Sequence, residues 1–169
     1  MQSNELLRLA FADLHKELLE DVADLTREEL FWRPAEGLNH IGFLFWHILR
    51  DEDAVICQAV LRQTELWITG GWPARLGMSE HEQGTGFGSE AVGAVVYEPG
   101  LLEAYGTEVW RQTESALAGL DPARLEEALP WSSEWRLANL LTTGCLSHSW
   151  SHLGEIRQLR GLRGWKFRE

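Results

Sequence analysis

Six histidines stand in this chain of 169 residues, and three of them carry the strongest chemical signal. His148 and His152 lie four apart in "CLSHSWSHLGEI", where the spacing of Leu141, Cys145 and Ile156 reads as a helix core. At 100° per residue the two imidazoles fall about 40° apart on one face and about 6 Å apart along the axis, near enough to reach one cation. Two buried histidines bonded to backbone or water would explain the pair equally well. His47 tips the balance. It sits mid-helix in "FLFWHILRDED", at the edge of a second apolar stripe, and facing helices of a bundle can build a metal centre between them. Three inward-facing, like titratable groups need a common partner, and imidazole suits a divalent ion such as Zn²⁺ or Ni²⁺.

Two acids could steady these rings. Asp51 follows His47 by one turn and Glu155 follows His152 by three residues, and a metal-bound imidazole usually gives its other N–H to a carboxylate or carbonyl. Either acid could instead lie on a solvated face or in an ordinary salt bridge. Cys145, one turn before His148, needs no role beyond that of a small core residue. His40 shares the His47 face, but seven residues of rise, about 10 Å, keep both from one ion; it is expected near the helix start, at a pocket rim. His15 is expected at a surface or interface, and His81 in a solvated loop that could close over the site. The pair reads "HSWSH" and lacks the glutamate base of H-E-x-x-H, which argues against a zinc peptidase of that type.

The elements that would position these residues follow from periodicity. Leu7, Phe11, Leu14, Leu18, Val22 and Leu25 mark a first helix over about 3–25. "TREELFWRPAEGLNH" breaks the pattern with Pro34 and Gly37. A second helix runs from Asn39, the expected N-cap, to about Glu65 on Ile41, Phe45, Ile48, Val55 and Ala59. About thirty glycine-rich residues follow, "WITGGWPARLGMSEHEQGTGFGSEAVGAVVYEPG", too long for a simple turn and suited to a crossover, lid or pocket wall, with Trp67, Trp72 and Phe87 as walls. A third helix follows Pro99 on Leu102, Tyr105, Val109, Gln112 and Leu117, and a fourth spans about Leu137 to Arg160 and stops at Gly161. No stretch alternates as a strand would. The expectation is an all-α fold: one domain over residues 1–169, a four-helix bundle with a long crossover between helices 2 and 3.

Composition narrows the function classes. A net charge of −11, from 26 acidic and 15 basic residues, opposes a nucleic-acid partner, which needs a basic surface. The longest apolar run, "IGFLFWHIL", falls short of the roughly 20 residues of a membrane span. The charged N-terminus does not read as a signal peptide, and two cysteines make no disulfide framework. The cytoplasm is the expected compartment and a small molecule the expected partner; exposed bundle faces would also suit a homodimer.

With the histidines placed, "GLNHIGFLFWHILRDED", "GGWPARLG…GTGFG" and "LSHSWSHLGEIRQLRGL" resemble the DinB/YfiT-like superfamily of metal-binding four-helix bundles. The resemblance spans nearly the whole chain, including "ELFWRPAEG", and its most specific element is H-x-x-x-H-x-G-E-I-x-x-L-R-G. The superfamily is similar to mycothiol-dependent isomerases and bacillithiol-type S-transferases, in which three histidines hold zinc, nickel or another divalent ion with one position open. The resemblance implies His47, His148 and His152 as ligands. It also implies an enzyme that activates a small thiol for transfer to an electrophile. The residues leave two other readings standing: metal-assisted hydrolysis with Asp51 or Glu155 as base, or a noncatalytic metal or small-ligand binder closed by Cys145 or His81.

Overall fold

A computed structural model describes residues 2–164. Helix α1 (Ser3–Val22) buries Leu7, Phe11, Leu14, Leu18 and Val22 along one stripe. The single turn α2 (Arg27–Leu30) is closed by a capping box: Thr26 Oγ1 accepts from the Glu29 amide, and Glu29 Oε2 accepts from the Thr26 amide. Helix α3 (Ile41–Ala54) continues as a wider π-helical segment, Val55–Leu61, which Arg62 ends in the left-handed conformation. The crossover forms three short helices, α4 (Leu66–Thr69), α5 (Trp72–Leu76) and α6 (Ser89–Ala94). Then come α7 (Pro99–Ala118), a 3₁₀ turn (Pro122–Glu126) and a small antiparallel hairpin of β1 (Ala128–Leu129) and β2 (Ser132–Arg136). The last rod is α8 (Leu137–Asn139), a second π segment (Leu140–Ser147) and α9 (His148–Leu162).

The four long rods pack as a ring in which α1 and α3 are each flanked by α7 and α9. The all-α bundle and the long connection between its second and third long helices are therefore as the sequence indicates. Helix α3 is the inner member: Ile41, Leu44, Trp46, Ile48 and Leu49 are all essentially inaccessible. Each such side chain contributes about 1.5–3 kcal/mol, so the core outweighs surface pairs worth about 0–1 kcal/mol each. Arg157 nevertheless ties α9 to α1 through Glu17 and Asp21.

Several boundaries differ from the periodic reading. Helix α1 stops at Val22 rather than near residue 25, α3 and its π extension end at Leu61 rather than Glu65, and α9 passes through Gly161 to Leu162. The cap of α3 is His40, not Asn39: its Nδ1 accepts the Phe43 amide at 2.9 Å. The hairpin was not legible, because two residues in β1 are too few to show alternation. Trp67 and Trp72 are core residues rather than pocket walls, both inaccessible and packed edge-on or tilted against Tyr105. A glycine-rich stretch hid two short helices that bury these indoles, with Pro73 and Leu76 beside them.

Candidate metal centre

The inner face of α3 presents His47, and the first two turns of α9 present His148 and His152. One ring nitrogen from each lies within 4.8 Å of the other two. The rings meet nearly edge-on, with centroids 4.5–5.1 Å apart. His47 is 5% exposed, whereas the His148 side chain is 34% and the His152 side chain 16% exposed. The cluster is thus walled on the α3 side and opens to solvent beside His148.

The outer ring nitrogens show which atoms point inward. His47 Nδ1 donates to the Gln83 carbonyl at 2.5 Å. His152 Nδ1 donates to Glu155 Oε1 at 2.9 Å, and Asn39 donates to the other oxygen of that carboxylate at 3.1 Å. His148 Nδ1 faces Asp51 Oδ2 at 3.6 Å, beyond hydrogen-bond reach, and this oxygen has no other hydrogen-bond donor. Asp51 therefore serves the histidine of the opposite rod, not His47 on its own. With Nδ1 of His47 and of His152 donating outward, the Nε2 atoms of these two rings carry the lone pairs. His148 and His152 bring their Nε2 atoms 2.8 Å apart. Nitrogens that close share either a hydrogen bond, one ring donating to the lone pair of the other, or a metal ion serving all three rings.

Electrostatics keep the set ready for a cation. Burial lowers the pKa of His47, despite the Gln83 carbonyl, so this ring stays a neutral ligand. The Asp51 carboxylate raises the pKa of His148, which strengthens its basicity. The hydrogen bond from His152 holds Glu155 below the usual carboxylate range. Neutral imidazoles braced by anionic or carbonyl acceptors are the donor set that a divalent ion takes, so the residues fit one.

The remaining candidates fall away from the cluster. Burial pushes the Cys145 thiol far up, and neither Cys145 nor the exposed His81 belongs to the group of convergent ligands. His40 is not at a rim. It is inaccessible, and its Nε2 donates to the Val92 carbonyl at 2.9 Å. His15 is not a surface residue either. Its Nε2 lies 2.9 and 3.0 Å from the two oxygens of buried Glu52, and its ring stacks on Trp110. Phe87 does reach the site's flank: it stacks at 6.1 Å on Phe43, which lies parallel to His47 at 5.8 Å. Sequence reasoning passed over Gln83 and Gly84, and read Asn39 as a helix cap where it instead holds Glu155. Only the glycine-rich "QGTGFG" hinted that backbone approaches something closely there.

The family model of the DinB superfamily matches residues 10–156. No curated protein matches the chain. Among solved structures, the chain is similar to a conserved protein from Enterococcus faecalis, at 21% identity and a TM-score of 0.82, over 95% of this chain and 96% of that one. At that identity the likeness speaks for the fold.

Proposed function

Because the chain belongs to the DinB superfamily, we propose that it is a metal-dependent enzyme whose His47, His148 and His152 hold a divalent ion, zinc or nickel, and that its substrates are a low-molecular-weight thiol and an electrophile. The observation that carries this reading is the inward convergence of one nitrogen from each of three rings, with Nδ1 of His47 and of His152 hydrogen-bonded from outside and that of His148 facing Asp51. When bound, such an ion lowers the pKa of a coordinated thiol or water and so supplies a nucleophile at neutral pH.

The chain's own residues divide the remaining tasks. Gln83 and Glu155 fix ring orientation and tautomer, and Asp51 sets the basicity of His148. Phe43 and Phe87 exclude water on the His47 side, while the exposed edge of His148 leaves the approach for substrate. In the reaction a carbon–sulfur bond forms, the bond to the leaving group breaks with its electron pair, and the thiol proton passes to solvent. Glu155 and Asp51, the two acids near enough to act as a general base, are both turned toward Nδ1 atoms. That arrangement favours a thiol, which needs only to lose its proton, over a water attack that needs a positioned base. Among the described residues no fourth protein ligand joins the group, which favours an open, reactive site over a closed structural one.

Metal content of untagged protein tests the centre. One divalent ion per chain is expected for wild type, and none in His47→Ala, His148→Ala or His152→Ala. Conjugation of small thiols to an electrophile by loaded wild type, absent from His148→Ala, would support the transferase. Turnover without thiol would replace it with hydrolysis, and a metal-free wild type after incubation with zinc and nickel would remove the centre.

A further inference from the structure

Three consecutive residues of the crossover rest on successive turns of α3. The Glu82 carbonyl accepts from Arg50 Nε at 3.3 Å. The Gln83 carbonyl accepts from His47 Nδ1 at 2.5 Å. Gly84 has φ +92°, and a Cβ built there would stand 3.0 Å from His47 Nδ1, 3.0 Å from the Trp46 ring and 3.1 Å from the Phe43 ring. Only glycine both adopts this backbone conformation and clears those three rings.

The outer end of this segment is anchored firmly. Arg50 is 1% exposed. Its NH2 nitrogen donates to Glu65 Oε2 at 2.6 Å, and its NH1 nitrogen lies 3.4 Å from Asp53 Oδ2 and 3.3 Å from the Tyr105 hydroxyl. Its guanidinium lies 4.6 Å from the centre of the Trp67 ring. Asp53 in turn accepts the Leu66 and Trp67 amides that open α4. An immobile cation therefore holds residue 82, and residue 83 holds His47.

The geometry points to residues 82–84 as a positioning strap of the metal centre: the segment, anchored by Arg50, fixes the ring plane and tautomer of His47 and thereby sets the affinity of the site for its ion. This rests on the reading that the three histidines bind metal. It adds that the crossover and the ion are coupled through one imidazole. Whatever detaches the strap weakens the ion, and the ion's binding steadies the strap to the same extent.

Two glycines of the same loop make the test clean. Gly84 and Gly86 both have positive φ, +92° and +77°, but a Cβ at Gly86 meets nothing within 4 Å. Alanine at either position carries a comparable backbone penalty, and only Gly84→Ala pushes on His47. Cobalt(II) titration of the full chain, followed by the visible absorption of the bound ion, is expected to show roughly 10-fold or greater weakening and an altered spectrum in Gly84→Ala. Gly86→Ala should remain within about 3-fold of wild type. Hydrogen exchange of wild type with and without cobalt gives a readout that needs no variant, and amides 82–87 are expected to slow on loading. The strap is overturned if Gly84→Ala binds like wild type, if both variants lose affinity equally, or if loading leaves those amides unchanged. Wild type that binds no cobalt removes the metal centre itself, and the strap with it.

Discussion

Helix α3 carries two clusters of ionisable side chains within two turns, and they are built on opposite rules. Around Arg50, every charge meets a counter-charge or donor. Asp53 takes two backbone amides, the Tyr105 hydroxyl and the Cys57 thiol, Glu65 takes Arg50 and Gln58, and little of the cluster is open to water. Burial, reinforced by Asp53, lifts Cys57 to about 12, so its thiol is inert at neutral pH. Around His47, three like groups converge with acceptors outside and ring nitrogens inside. A closed network has nothing left to bind, so its role is to hold the fold. An open one is incomplete without a cation, and that incompleteness is what a ligand site requires.

The largest expected effect lies in the closed cluster. Arg50→Met leaves Asp53 and Glu65 buried without their partner and should cost about 3–5 kcal/mol in urea unfolding of metal-free protein. His148→Ala, in the same assay, should change stability by less than about 1 kcal/mol, because the ring is 34% exposed and its one short contact is with another histidine. Equal losses in both variants would dissolve the distinction.

Next in size, Glu155→Gln keeps the side chain's shape but removes the charge that braces His152. Metal affinity should fall about 10-fold, a change of about 1.4 kcal/mol at the site. The thermal midpoint of metal-free protein should stay where it was. A lowered midpoint with unchanged affinity would assign Glu155 to the scaffold instead.

The smallest effect concerns pH. His40 is a closed histidine, with Nδ1 accepting the Phe43 amide and Nε2 donating to Val92, and burial lowers its pKa from 6.5. As pH falls below about 6.5, the unfolded chain takes up this proton before the native one does. Stability present at neutral pH is therefore lost on acidification toward the native pKa. In the open cluster the signs oppose: His47 is lowered and His148 raised, so their contributions partly offset one another. Unfolding of metal-free protein at pH 7.5 and 5.5 should show a smaller acid loss in His40→Asn than in wild type. Parallel losses would place the pH sensitivity elsewhere.

The same contrast explains what could be read in advance. The bundle was legible because the stripes of α1 and α7 repeat locally at helical spacing, and His148 and His152 were legible because four residues make one turn. His47 joined them through an expectation about facing helices and through the resemblance. The Arg50 network had no such signature: its partners Glu65, Glu82 and Tyr105 lie 15, 32 and 55 residues away, and only the folded crossover brings them together. His15 was misplaced for the same reason, since Glu52 and Trp110 lie 37 and 95 residues downstream. The structure also reverses the roles expected of the crossover tryptophans: these large rings close the core, and the small residue, Gly84, meets the site.

The π segment Leu140–Ser147 leads directly into His148. A π turn takes more residues than an α turn, so each residue of this segment rotates the chain less than it would in an α-helix. Returning the segment to α geometry at constant length would therefore rotate His148 and His152 together around the axis and away from His47. The spacing of the pair would survive and its aim would not. The direction in which the two rings face is thus held by the width of the turns before them, and their spacing by the helix that carries them.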